Sequence, residues 1–246
     1  MAHLLKNRGG EMIAEKVKKM AYELGADLCG IASIDRFADS PKGYHPWDVL
    51  PGCQSVIVLA GRFLGSTLAA SSTVPYTVVR NEITRVMDRM SFDLSYRLET
   101  EGVGAVPTGA IGPCMWDAET NKSRGIISLK HAAVRAGMGK IGKNTLLINE
   151  QYGNMLWLAA VLATAMLEPD PIAEYEGCAA GCRLCLDSCP IKALDGVSMD
   201  QSACWNYAFG ADKEGEWRIK CYTCRKVCPN CSGIASRQGS EQLERQ

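Results

Sequence analysis

The feature that most constrains this chain is a cysteine spacing that occurs twice towards its carboxyl end. The pattern C-x2-C-x3-C-P runs from Cys182 to Pro190 and again from Cys221 to Pro229. Cys178 precedes the first copy, separated from it by three residues. Of the 12 cysteines in the chain, nine lie between residues 178 and 231. Cysteines concentrated at such short, repeated spacings indicate bound metal.

Iron–sulfur clusters, zinc sites and disulfide networks all use closely spaced cysteines. Two arms of this form are typical of a two-cluster ferredoxin, in which the cysteine before proline ligates the cluster of the other arm. Zinc takes four ligands per ion and does not need the repeated Cys-Pro ending. Disulfides belong to oxidising compartments, and we expect no secretion signal, because the first 25 residues contain no continuous apolar run. We therefore predict two 4Fe–4S clusters.

The crossover rule also assigns the ligands. Cluster one is predicted to use Cys178, Cys182, Cys185 and Cys228. Cluster two is predicted to use Cys189, Cys221, Cys224 and one more residue, for which Cys204 is the best candidate. Cys231 is the alternative ligand, above all in place of Cys178. Cys29 and Cys53 lie in apolar segments and are predicted to be packing residues.

Charge and hydropathy limit the expected partners. The 246 residues include 27 Lys and Arg against 27 Asp and Glu, so the formal net charge is zero. A neutral chain has no long-range attraction to a polyanion, and tRNA is therefore predicted to be an unlikely partner. The most apolar run, residues 155–167, is shorter than the roughly 20 residues that span a bilayer. We expect a cytoplasmic protein that does not enter the membrane.

Hydrophobic periodicity divides the chain into helices, strands and loops. Helices are predicted over residues 11–24, 76–101 and 128–136, strands over 26–33, 55–60, 104–107, 145–149 and 155–165, and irregular loops over 40–52 and 108–125. This mixture predicts an α+β or α/β domain over residues 1–170. We expect a two-cluster ferredoxin domain over residues 171–235 and a polar tail over residues 236–246.

A glycine-rich turn, GMGKIGKN, covers residues 137–144 and matches the G-x-G-x-x-G pattern of nucleotide-binding loops. A predicted helix precedes it and a predicted strand follows it, which is the reverse of the order in a dinucleotide-binding fold. The glycines therefore indicate close backbone approach of another kind. They are compatible with a tight turn after a helix and with a cradle for a large flat cofactor. His131, on the preceding helix, is a candidate cofactor contact.

The run HAAVRAGMGKIGKNTLLINEQYGN (131–154), followed by the cysteine arms and Cys204, resembles the epoxyqueuosine reductase family, which is related to the reductive dehalogenases. The segments KKMAYELGADLCGIA and PWDVLPGCQSVIVLA are similar to the amino-terminal domain of that family. The resemblance implies a nitroreductase-like domain that binds cobalamin, or less typically FMN, and a ferredoxin domain that supplies its electrons. The residues that it places against the cofactor are His131, Gly137, Gly139, Lys140, Ile141, Gly142, Lys143, Asn144 and Thr145.

Two positions depart from the family. Ser123 stands where members have the aspartate of an Asp-x-x-Pro stretch, which is thought to donate a proton, and Asp117 lies six residues earlier. Lys140 stands where tryptophan is usual. We therefore predict an anaerobic reductase whose small-molecule substrate is not epoxyqueuosine. It is expected to take electrons from an external low-potential donor, and a homodimer is compatible with the sequence. The alternative is a ferredoxin-type protein that reduces a partner such as a corrinoid protein.

Overall fold

The computed structural model describes residues 10–119 and 122–234, so the predicted tail at 236–246 lies outside the described residues. Short 3-10 turns lie at Ile34–Phe37 and Gly65–Ala69. The helices are α1 (Gly10–Glu23), α2 (Pro46–Val49), α3 (Val74–Thr100), α4 (Leu129–Arg135), α5 (Leu184–Asp187), α6 (Gln201–Ala208) and α7 (Thr223–Lys226). The strands are β1 (Leu28–Ser33), β2 (Ser55–Arg62), β3 (Ala105–Thr108), β4 (Met115–Asp117), β5 (Lys122–Arg124), β6 (Lys140–Ile141), β7 (Leu147–Ile148), β8 (Leu156–Ala163), β9 (Phe209–Ala211) and β10 (Trp217–Ile219).

A four-stranded sheet with the order β1-β2-β8-β3 forms the centre of the molecule. Every neighbouring pair in it is antiparallel, so the fold is of the α+β kind rather than a parallel α/β sheet. Ile57 and Leu59 of β2 pack with α1 and α3 on one face. Val56 and Val58 pack with α4 on the other face. Because helices cover both faces, β2 is a continuous apolar run rather than an alternating one.

The predicted long helices and the strands β1, β2, β3 and β8 are confirmed, but two predicted loops contain regular structure. Residues 40–52 include α2, which is stabilised by a local capping box: the His45 side chain accepts from the Trp47 N–H, and Asp48 accepts from the His45 N–H. Residues 108–125 include the β4–β5 hairpin. The predicted strand at 145–149 is shorter than expected, because Thr145 has a positive φ of 61° and pairing begins only at Leu147.

The two cysteine arms have the same local conformation. Each carries one short helix, α5 or α7, and these two helices pack against each other. In both arms the N–H of the cysteine before proline donates to the carbonyl three residues earlier, from Cys189 to Leu186 and from Cys228 to Arg225, at 3.3 Å in each case. The repeated sequence spacing thus produces a repeated turn.

The apolar run at 155–167 forms β8, a central strand of the sheet. Within residues 10–119 and 122–234, no helix combines the length and the apolar character needed to cross a membrane. Cys29 and Cys53 are buried in the two cores on either side of the sheet, which confirms their predicted packing role.

Candidate functional site

The folded arms gather their thiols into two groups of four, which we call group one and group two. The members of group one line one small cavity and are Cys178, Cys182, Cys185 and Cys228. The members of group two are Cys189, Cys204, Cys221 and Cys224: Cys204 interacts electrostatically with the other three, and Cys221 also interacts with Cys224. Cys231 lies beside Cys228 but does not line the cavity of group one.

The buried thiols resist ionisation. Burial raises the pKa of Cys224 to about 11, with the Arg225 guanidinium opposing the shift and the neighbouring cysteines adding to it. Burial also raises the pKa of Cys228 to about 11, since the Asn230 N–H offsets only part of the effect. Coordination to a metal removes such protons, whereas an uncoordinated thiol with so high a pKa is a poor nucleophile.

Both groups receive backbone hydrogen bonds at sulfur. The Lys143 N–H donates to the sulfur of Cys178 at 3.4 Å, and the Ala193 N–H donates to the sulfur of Cys189 at 3.3 Å. Donors of this kind adjust the reduction potential of sulfur-ligated clusters. In the described part of the chain, no three His, Cys, Asp or Glu side chains are arranged to hold a single metal ion.

The glycines of the 137–144 turn pack closely against other parts of the protein. Gly137 has a φ of 72°, and a Cβ atom added there would lie 2.0 Å from the Pro171 carbonyl oxygen. A Cβ on Gly139 would lie 2.4 Å from the Ile148 carbonyl oxygen. A Cβ on Gly142 would lie 2.9 Å from the side chain of Asn144. These close approaches account for the three glycines without a cofactor, and their predicted cofactor contact stays a prediction.

The end of this turn connects the cysteine groups to a larger cavity. The Lys143 ammonium donates to the Cys182 carbonyl at 2.8 Å, and the Asn144 amide donates to the Cys224 carbonyl at 3.1 Å. Thr145, the next residue, lines the larger cavity, and its carbonyl accepts from the Lys130 ammonium at 3.0 Å. The three consecutive residues therefore touch both cysteine arms and the cavity.

The larger cavity has a volume of about 530 Å³ and is enclosed by α4, the β4–β5 hairpin and the chain before α6. Of the residues predicted to contact a cofactor, His131, Ile141 and Thr145 line it. Lys143 and Asn144 line the cavity of group one instead. Lys140 pairs with Ile148 between β6 and β7 and is not part of the cavity wall.

Positive charge is concentrated around this cavity. Its lining includes four basic side chains, Lys122, Arg124, Lys130 and Arg135. Arg124 lies 4.8 Å from the ring centroid of Tyr44 and pairs with Asp117 at 3.4 Å, so the carboxylate six residues before Ser123 is engaged in an ion pair.

Neighbouring charges in the wall also interact with one another. Arg135 forms an ion pair with Asp39. Burial lowers the pKa of Lys130, and the charge of Lys122 lowers it further. Lys122 and Lys130 thus lie close enough in the cavity wall for their charges to interact.

His131 lies in the wall of the cavity, with its Nδ1 2.6 Å from the hydroxyl of Ser128. Partial enclosure of the ring lowers its pKa, the charges of Lys130 and Arg135 lower it further, and Asp39 opposes them. Ser123 also lines the cavity, and its backbone N–H donates to the Gln201 side chain at 2.6 Å.

Sequence reasoning missed the contribution of residues 197–201, which lead into the first turn of α6. Val197, Ser198, Met199 and Gln201 close the cavity from the side of the cysteine-rich region. No motif marks these residues, because only the folding of that region brings them opposite α4. Their closeness to Cys204 on α6 was the one available signal.

No protein-family model matches the chain. Curated epoxyqueuosine reductases match most of it: the protein of Leadbetterella byssophila is 24% identical over 88% of this chain and 79% of its own length, and that of Staphylococcus aureus is 24% identical over 95% and 68%. The protein of Bacillus cereus is 28% identical over 91% of this chain and 66% of its own length. The chain resembles epoxyqueuosine reductases over most of its length. The resemblance predicted from the sequence is thereby confirmed.

Solved structures show the same fold. The epoxyqueuosine reductase of Bacillus subtilis superposes with a TM-score of 0.63 at 21% identity, covering 91% of this chain and 66% of that one. A reductive dehalogenase, described with a mechanism for B12-dependent dehalogenation, superposes with a TM-score of 0.65 at 18% identity. This chain spans about two thirds of the solved epoxyqueuosine reductases (66%) and about a third of the dehalogenase (35%).

The prediction that tRNA is an unlikely partner is wrong. One structure of this fold, with a TM-score of 0.59, is an epoxyqueuosine reductase with an epoxyqueuosine-modified tRNA stem loop. The prediction relied on net charge, which sums the whole chain, whereas phosphates respond to local charge. In this chain Lys122, Arg124, Lys130 and Arg135 concentrate positive charge around one cavity, although the chain as a whole is neutral.

Proposed function

We propose that this protein is an iron–sulfur oxidoreductase that reduces a substrate in the cavity beside His131. The observation that carries the proposal is the position of residues 143–145: Lys143 lines the cavity of cysteine group one, and Thr145 lines the large cavity. Consecutive Cα atoms are about 3.8 Å apart, so the cavity of group one and the large cavity lie on either side of a three-residue segment. Helix α6 connects the large cavity to group two, because Gln201 lines the cavity and Cys204, one helical turn later, belongs to group two.

The two cysteine groups fit two 4Fe–4S clusters. Each group takes three thiols from the two repeated arms and a fourth from outside them, Cys178 or Cys204, and each receives a backbone N–H at sulfur. We propose Cys178, Cys182, Cys185 and Cys228 as ligands of one cluster and Cys189, Cys204, Cys221 and Cys224 as ligands of the other. Such clusters take up and release single electrons at low potential, and an external low-potential donor would supply them.

The large cavity fits a flat cofactor that carries a phosphate and stays partly exposed. Its volume lies in the range of ligand-binding cavities, and its wall combines apolar groups such as Phe37 and Ile127 with the four basic side chains. A B12-dependent relative of the same fold favours a corrinoid over FMN. When bound, a corrinoid supplies the reductive chemistry at its metal, and the protein positions and protonates the substrate.

Reduction of an organic substrate consumes protons as well as electrons. Histidine is the side chain that ordinarily changes charge between pH 5 and 8, and His131 is the histidine in the cavity wall. Ser123 has no acidic proton at neutral pH, although it occupies the position of the family's aspartate. We therefore propose that His131 delivers the proton from Nε2, while Ser128 holds its Nδ1. Lys122 and Arg124 would bind an anionic group of the substrate.

Purification without oxygen, with measurement of iron, cobalt and the ultraviolet–visible spectrum, tests this proposal. About eight iron atoms and one cobalt per chain would support it, since two 4Fe–4S clusters contain eight irons. Iron together with a flavin spectrum would show that the bound cofactor is FMN rather than a corrinoid. Iron with no organic cofactor, even after reconstitution, would favour the electron-transfer protein. Zinc in place of iron would contradict the proposal as a whole.

The substrate is then sought among anionic compounds, because the cavity wall is basic. The reference substrate is the epoxyqueuosine-modified tRNA stem loop that a protein of the same fold binds. Small anionic molecules with a reducible bond are compared with it under the same reductant. A Lys122→Gln variant should weaken binding of the true substrate, whereas Lys213→Gln, on the exposed turn between β9 and β10, should not.

A further inference from the structure

Arg225 is a buried cation inside the second cysteine arm. Its side chain is only 6% exposed, although it lies on α7 directly after Cys224. The guanidinium donates to the carbonyl of Asn154, lies 3.9 Å from the sulfur of Met155, and stands over the rings of Phe63 and Trp157 at 5.7 and 5.9 Å. Among the described residues, no carboxylate lies within ion-pair distance of it.

An arginine in this position needs an anion. Its guanidinium remains charged in proteins, and a buried charge without a counter-ion is strongly destabilising. The aromatic faces offset part of that cost, but they do not neutralise the charge. The phenol of Tyr76 also interacts with the guanidinium, but a phenol ordinarily ionises only near pH 10 and carries no charge at neutral pH. Cys224 of group two precedes Arg225 on α7 and interacts with its guanidinium, and this thiol becomes an anionic ligand when it binds iron.

The first arm shows that its fold does not require this arginine. Leu186 follows Cys185 as Arg225 follows Cys224, and both side chains are buried. The hydrogen bonds of the two turns correspond, with Cys189 bonded to the Leu186 carbonyl and Cys228 bonded to the Arg225 carbonyl. A leucine therefore satisfies the local packing. The arginine adds charge to one arm alone.

We propose that Arg225 is the fixed counter-charge of the cluster held by group two and raises the reduction potential of that cluster. The inference rests on the proposed function, since it requires a cluster at that place. Reduction transfers one electron from a low-potential donor to the cluster, which makes the cluster more negative. A nearby cation stabilises the reduced form, so removal of the cation makes reduction harder. The low polarity around Phe63 and Trp157 strengthens the effect.

Group one has a different cation. The Lys143 ammonium bonds to the Cys182 carbonyl at 2.8 Å, but Lys143 is only half-buried. Water screens that charge more than it screens Arg225. The two cations therefore provide a matched comparison, in which each should affect mainly the cluster of its own group and Arg225 should have the larger effect.

The test is a redox titration followed by electron paramagnetic resonance on the anaerobic full-length protein, with the variants R225Q, R225K and K143Q. We expect R225Q to lower one of the two midpoint potentials by at least about 59 mV, a tenfold change in a one-electron equilibrium. R225K keeps the charge and should change the same potential by less than that. K143Q should lower the other potential, by a smaller amount.

Two results would overturn the inference, and they are distinguishable. Unchanged potentials in R225Q with full iron content would refute the role of Arg225 and leave the proposed function intact. Wild-type protein without clusters would refute both. If R225Q loses iron, R225K decides the question: a shift of more than about 59 mV in that variant would show that geometry, rather than charge, sets the potential.

Discussion

The backbone N–H of Lys143 donates to the sulfur of Cys178 at 3.4 Å. This bond lies at the end of the glycine-rich turn, which the sequence suggested as a cofactor cradle. The next residue, Asn144, bonds to the Cys224 carbonyl in the other arm. The turn therefore holds the cysteine-rich region against the sheet domain, while Ile141 within it and Thr145 directly after it reach the large cavity.

Loss of the Asn144 side chain should loosen this junction. Asn144 is 3% exposed, and its amide group pairs with the Cys224 carbonyl and the Leu146 N–H. An Asn144→Ala variant leaves both backbone groups without that partner, so we expect a loss of about 1–3 kcal/mol in the free energy of unfolding, measured with denaturant. Asn206→Ala, at an exposed site on α6, is the control and should stay within about 0.5 kcal/mol. Equal losses in the two variants would contradict the assignment.

The eighth cluster ligand is decided by comparing two cysteines. Cys178 lines the cavity of group one and Cys231 does not. We expect Cys178→Ala to lose about half of the bound iron, because one 4Fe–4S cluster loses a ligand, and Cys231→Ala to keep all of it. Iron analysis and the absorption spectrum of the reconstituted proteins provide the measurement. Iron loss in Cys231→Ala alone would reverse the assignment.

Gly137 is a test of the structural role of the glycine turn. In Gly137→Ala the new methyl group would collide with the Pro171 carbonyl at a positive φ of 72°. Gly43 has a similar φ of 82° but no atom within 4 Å of an added Cβ. Both variants bear the backbone strain of about 1–3 kcal/mol, and only Gly137→Ala bears the collision as well. Thermal unfolding should therefore show a clearly larger loss for Gly137→Ala, and equal losses would refute the close packing.

The parts of the fold that the sequence predicts are those governed by local pattern. The apolar run of β2, the periodicity of α3 and the repeated Cys-x3-Cys-Pro ending each determine nearby backbone conformation. The order of the sheet does not follow from such patterns. β8 inserts between β2 and β3, pairing Val161 with both Ile57 and Pro107, and these contacts join residues far apart in the chain.

In the candidate site, too, some features follow from local sequence pattern and others depend on contacts between distant segments. The grouping of the cysteines follows from a spacing rule, because short loops place their ligands regardless of the surrounding fold. The large cavity is built from separate segments, with Asp39, Ser123, His131 and Ser198 each coming from a different one. The prediction about tRNA failed for a related reason, because the net charge of a chain does not show where its basic residues lie. Arg225 could be recognised as unusual only after its burial was known.

The pH dependence of the protein should reveal His131. Partial enclosure and the charges of Lys130 and Arg135 hold the pKa of its imidazole below the usual value of 6.5. Protonation is thus harder in the folded state, and this residue should destabilise the protein as the pH falls below 6.5. As the proton donor, the charged imidazole should also make the rate of substrate reduction fall as the pH rises through its pKa.

His131→Gln removes both effects while keeping a side chain that can hydrogen-bond. We expect the variant to lose most of its activity with a flattened pH–rate profile, and to unfold at a temperature that depends less on pH between 5 and 6.5 than in the wild type. Ser128→Ala, which removes only the bond to Nδ1, should keep the pH-dependent rate with a shifted midpoint. A His131→Gln variant whose pH–rate profile matched that of the wild type would exclude His131 as the proton donor, since no other histidine lines the described cavity.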